Sequence, residues 1–147
     1  MILAVAAAGL LLPAGCRLTP RQPPFRYLEV GVETGNERRC TAEIALRIEL
    51  ENTVSTAIET FEATAYLYVG KKPRVVEWEN SLPVSAGETR AYCLDVADAV
   101  PAGATDVPVV DLVHIHRVSL ADGTVWRDPL AAYVWRREGV GEGGNAE

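Results

Sequence analysis

Residues 40–51 read CTAEIALRIELE, and the alternation inside this stretch decides the fold class. Ile44, Leu46, Ile48 and Leu50 alternate with Glu43, Ala45, Arg47 and Glu49. Successive side chains of a β-strand leave opposite faces, so a period of two sends the apolar set to a core and the other set to solvent. Cys40 shares the parity of the apolar set, which suits a buried position. Residues 60–69 repeat the pattern, with Phe61, Ala63, Ala65, Leu67 and Val69 on one face and Glu62, Thr64, Tyr66 and Tyr68 on the other. Between the two runs lie Asn52-Thr53 and Ser55-Thr56, whose side chains bond nearby backbone and favour a turn.

Weaker strand patterns occupy residues 27–33, where Leu28, Val30 and Val32 alternate, then 75–78 and 90–96. In the last of these Tyr92, Leu94 and Val96 form the inward set, which turns Cys93 outward. No long stretch repeats apolar residues at three and four, so helices should be scarce. Residues 111–126, DLVHIHRVSLADGTVW, contain Asp122-Gly123, the signal of a two-residue type I′ hairpin turn. Pairing outward from it sets Leu120 opposite Val125 and Ser119 opposite Trp126. Val118 and Leu120 then have the opposite parity to Val113 and Ile115, and a β-bulge near His116-Arg117 restores a single apolar face.

These patterns give about seven short strands with frequent turn signals, the signature of an all-β antiparallel sandwich. ENTVSTAIETFEATAYLY and IHRVSLADGTVW resemble the paired strands of small immunoglobulin-like or fibronectin-III-like modules on bacterial exported proteins. The resemblance spans residues 26–136 and implies a seven-stranded immunoglobulin-like β-sandwich with no catalytic residues. The antibody pattern of cysteines and tryptophan is not met, because Tyr92 directly precedes Cys93 and Trp78 lies far from Cys40.

Ahead of this domain, residues 2–12 read ILAVAAAGLLL, shorter than the roughly 20 apolar residues of a spanning helix and suited to a signal-peptide core. Ala14-Gly15-Cys16 resembles the lipobox of bacterial lipoproteins, with Pro13 where leucine is usual and no basic residue before Arg17. The resemblance implies a signal peptide over 1–15 and a lipidated Cys16 that carries palmitate-type chains. It also implies a Pro-rich tether over 16–25 and a location in the bacterial cell envelope, bound to the lipid bilayer through Cys16. A single acyl chain holds a membrane only marginally, so a stable anchor takes two or more. With Cys16 assigned to lipid, two of the three cysteines remain, Cys40 and Cys93. In an oxidising compartment they form a disulfide, and the other reading is a pair of free buried thiols.

The net charge of −6 and basic clusters no larger than Arg38-Arg39, Lys71-Lys72 and Arg136-Arg137 argue against nucleic acid as a partner. His114 and His116 are the only histidines. Their H-x-H spacing could hold a metal with Asp111 or Asp122 as third ligand, although a bulge there would splay the rings. There is no G-x-S-x-G elbow, and the Gly-rich tail over 137–147 is read as disordered. Gly70-Lys71 lacks the preceding glycine of a phosphate loop. Tyr66, Tyr68 and Trp126 project outward, where aromatics anchor partners or pack across strands. The expected function is a membrane-tethered, non-enzymatic lipoprotein that binds another protein or organises the envelope, without cofactor or metal. The alternative is a small-ligand or metal-binding lipoprotein using His114 and His116.

Overall fold

The computed structural model describes residues 22–138. The signal-peptide and Cys16 assignments, most of the tether and most of the tail lie outside these residues. Eight strands form the fold: β1 Phe25–Thr34, β2 Ile44–Asn52, β3 Ile58–Val69, β4 Lys72–Asn80, β5 Thr89–Asp95, β6 Val109–Leu120, β7 Val125–Arg127 and β8 Val134–Arg136. A single 3-10 turn at Ala97–Ala99 follows β5. Every strand pair is antiparallel, in two sheets: β1-β2-β5, and β4-β3-β6-β7 with β8 also on β6. β6 gives its whole length to β3 on one side. On the other side β7 pairs residues 117–119 and β8 pairs 112–114, so the two act as one interrupted edge strand.

The inward sets read from the sequence build the core. Leu46, Ile48 and Leu50 from β2 meet Phe61, Ala63, Ala65 and Leu67 from β3 and Val113, Ile115 and Val118 from β6, all at most 2 % exposed. Each large side chain so buried contributes about 1.5–3 kcal/mol. Tyr92 and Trp78 close one flank through edge-on contacts with Phe61 at 4.9 and 5.4 Å. The turn after β2 rests on Asn52, fully buried, which accepts from the Val54 amide at 3.0 Å and donates to Thr56 and Val84 carbonyls at 2.9 and 3.1 Å. Every polar atom of that side chain is thereby satisfied.

The bulge in β6 is where the parity reversal placed it. Ile115 pairs with Ala63 and Arg117 with Glu62, leaving His116 unopposed, so that Ile115 and Val118 both turn inward. The parity does not mark three further irregularities, at Glu59 in β3, at Asp111 in β6 and at Leu28 in β1. Tyr27 pairs with Leu50 and Glu29 with Glu49, so Leu28 is the extra residue and stands 46 % exposed. Phe25 and Tyr27 face the core before it, Val30 and Val32 after it, and Leu28 does not share their face.

The Asp122-Gly123 hairpin differs from expectation by one residue. Ser119 pairs with Val125 and Val118 with Trp126. Gly123 has φ +85° while Asp122 does not enter the positive region. The Gly123 amide donates to the Leu120 carbonyl, and the Leu120 amide donates to the Thr124 carbonyl. This is a three-residue loop with glycine in the left-handed position, which an Asp-Gly pair suits as well as a type I′ turn. The two-residue hairpin is instead at Gly70-Lys71, between paired Val69 and Lys72, with Gly70 at φ +62° in the first central position of a type II′ turn.

Candidate functional site

The outer faces of the two sheets differ, and the difference is built by Cys40 and Cys93. They are joined by a disulfide, as the cysteine count suggested. Cys40 is buried, at 4 % exposed, as expected, but Cys93 is exposed and the bridge lies outside the central core cluster. β2 begins at Ile44, so the strand parity does not extend to Cys40, and Cys93 points outward opposite Arg47, as the parity of β5 required. The bridge draws loop 35–43 down over the outer face of the three-stranded sheet. Beneath it Ala45 is fully buried and Arg47 is only 8 % exposed, although both belong to the outward set.

Arg47 is neutralised there by Glu29 at 3.0 Å and Glu49 at 2.9 Å. Arg39 on the loop reaches Glu29 and Glu33, both at 2.6 Å. Glu33 also accepts the Arg39 and Cys40 amides at 2.8 and 3.2 Å. The Arg39 guanidinium holds the Glu29 carboxyl below its ordinary range. Desolvation raises Glu33, but the amide and guanidinium donors outweigh it and lower that carboxyl too. This face is clasped.

The outer face of the five-stranded sheet is open. The register lines its side chains in rows that cross β4, β3, β6 and the β7/β8 edge. One row is Glu79, Glu62, Arg117 and Arg127, in which Glu62 and Arg117 pair at 2.6 Å. Another is Val75, Tyr66, Leu112 and Arg136, and a third is Pro73, Tyr68 and Val109. Tyr66, Tyr68, Val75 and Val109 are 43, 39, 60 and 38 % exposed. They make a contiguous apolar patch around a depression of about 170 Å³ lined by Tyr66, Tyr68, Pro73 and Leu112. Glu77 and Glu79 on the β4 edge, and Arg127 and Arg136 on the opposite edge, make no ion pair among the described residues. The face is therefore acidic along one side and basic along the other.

Trp126 does not belong to it. The one-residue change of hairpin register sets it beside Val118 on the inner face, 1 % exposed and edge-on to Phe25 at 5.6 Å. Tyr66 and Tyr68 stand where the sequence placed them; Trp126 is a core residue.

The histidines sit where the edge strand is interrupted. His114 Nε2 lies 3.1 Å from Asp128 Oδ2, and the rings of His114 and His116 are 5.7 Å apart, so the bulge does not splay them. Asp111 is directed at Arg137, and Asp122 accepts the Thr124 amide within its turn, so neither joins the pair. Among the described residues no group of three His, Cys, Asp or Glu side chains is placed to hold a metal.

Asp128, 4 % exposed, instead organises the break. Its carboxylate accepts the Ala132 and Tyr133 amides at 3.0 and 2.8 Å, and its own amide donates to the His116 carbonyl at 2.9 Å. The Tyr27 hydroxyl, reaching across from β1, donates to the Val113 carbonyl at 3.3 Å and accepts the Ile115 amide at 3.1 Å. The β6 groups left without an edge partner are thus satisfied from two directions. Burial pushes the Tyr27 phenol well above its usual value, and Asp128 adds to the rise. Burial also raises Asp128, but its amide donors and His114 prevail and keep the carboxyl below its ordinary value. The sequence signal for this turn was the Asp128-Pro129 dipeptide, a turn initiator that strand parity does not register. No family model, curated protein or solved structure matches the chain.

Proposed function

We propose that this chain is a lipid-anchored, non-enzymatic interaction module of a bacterial cell envelope, tethered through Cys16 and docking a protein partner on the outer face of its five-stranded sheet. The observation that carries this reading is the contrast between the two faces. One is closed by a disulfide, a loop and a network of five charged side chains; the other leaves Tyr66, Tyr68, Val75 and Val109 together in solvent. Aromatics grouped on a rigid sheet supply contact area at low entropic cost, as docking sites require. The strand arrangement supports the module resemblance as well. The first, second and fifth strands face the third, sixth and seventh, as in immunoglobulin-like sandwiches, while the fourth pairs with the third. An exported location is in keeping with the Cys40–Cys93 disulfide.

The anchor is tested by feeding radiolabelled palmitate to cells expressing the chain. Label enters the wild type and is absent from Cys16→Ser; label retained in the variant refutes lipidation at Cys16. The docking role is tested by Tyr66→Ser with Tyr68→Ser, which should leave the fold intact and remove the protein from any envelope complex seen on a native gel.

A further inference from the structure

We infer that the open face of the five-stranded sheet docks a second copy of this chain, about a two-fold axis that runs parallel to the strands between β3 and β6. The inference rests on reading this face as a docking surface and names its occupant. The face carries complementary charge on its two sides. Glu77 and Glu79 stand exposed along β4, and Arg127 and Arg136 stand exposed along β7 and β8; none of the four makes a close ion pair among the described residues, although Arg127 acts on Glu62 from a distance.

A two-fold axis along the strands exchanges the two sides of the face and preserves height along the strand. It brings Glu79 onto Arg127 of the second copy, twice by symmetry, and Glu62 onto its Arg117. The same operation sets Tyr66 against Leu112 and Tyr68 against Val109 of the second copy, with Val75 under its Arg136 and Glu77 beside its Val134, so the charge match is carried by Glu79 with Arg127 and Glu62 with Arg117. An axis across the strands would set the acidic edge against itself, at a cost that like charges in contact impose. The face is self-complementary under one operator only, the property of an isologous dimer interface. Four strands about 4.8 Å apart and about nine residues long give a flat footprint of roughly 570 Å². Side-chain relief brings this near the ~800 Å² per partner of a standard stable interface.

The test is sedimentation equilibrium of the purified full chain in density-matched detergent. The wild type should be a dimer that weakens as salt rises. Glu79→Arg and Arg127→Glu should each weaken it by at least about tenfold, because each sets like charges together at both symmetric contacts. Mixed one to one, the two variants should regain the dimer, since every contact in the mixed pair again joins opposite charges. Both positions are exposed, so melting temperatures near that of the wild type show that folding is not the cause. A wild type that stays monomeric up to about 100 μM, or a mixture no tighter than either variant alone, overturns the proposal. A monomeric wild type that still cross-links through Tyr66 to a different protein also overturns it, while leaving the docking reading of the face in place.

Discussion

Trp126 and Tyr66 carry similar aromatic bulk into opposite situations. Trp126→Ala empties a space in the core beside Phe25 and Val118 and should cost about 3–5 kcal/mol in urea unfolding. Tyr66→Ala removes a side chain that is 43 % exposed and should cost well under half of that. Asp128 is a second test. Its folded carboxyl titrates below the ordinary value, so its contribution to stability is complete above the unfolded pKa of about 3.9 and disappears as pH falls through the lower folded value. Wild-type stability should therefore fall on acidification below about pH 4, and Asp128→Asn should show a shallower fall over the same interval, measured by urea midpoints at each pH. His114 is committed to Asp128. Micromolar zinc should accordingly leave the melting temperature unchanged, because a ligand stabilises only through preferential binding to the folded state. A rise abolished by His116→Ala would restore the metal reading.

Strands and bulges were legible to different degrees. β2 and residues 60–69 of β3 could be read directly, because a half-buried strand repeats every two residues and nothing interrupts those runs, whereas Ile58 lies beyond a shift in the β3 pairing and does not share their parity. The His116 bulge was legible for the same reason: two apolar pairs of opposite parity in one strand require an inserted residue. Leu28 defeated this logic, since an apolar residue at the inserted position continues the pattern by accident and turns outward. The Asp122-Gly123 loop failed on turn chemistry, as one positive φ and two are both compatible with Asp-Gly. That single residue moved Trp126 from one face to the other, because a register slip of one exchanges the faces. The charge network under the disulfide was not legible, for it depends on where loop 35–43 lands. Gly123→Ala should cost about 1 kcal/mol and Gly123→Asn less, since asparagine tolerates the left-handed region; thermal unfolding of the two variants checks the order.

The asymmetry of the sandwich unites these details. A disulfide spanning 53 residues restrains the unfolded chain and should contribute about 4 kcal/mol, so Cys40→Ser with Cys93→Ser should lower the urea midpoint while keeping the β-sheet spectrum. It also fixes the loop that hides Arg47 and Ala45, leaving the five-stranded sheet as the uncovered side. The decisive measurement is site-specific photo-cross-linking in intact cells, with the reactive residue placed in turn at Tyr66, Val75 and Ala91. Tyr66 and Val75 lie on the open face, and Ala91 lies opposite Glu49 on the clasped one. Discrete protein adducts should form from Tyr66 and Val75 and not from Ala91. Adducts of equal yield from all three positions, or adducts from Ala91 alone, would contradict the account.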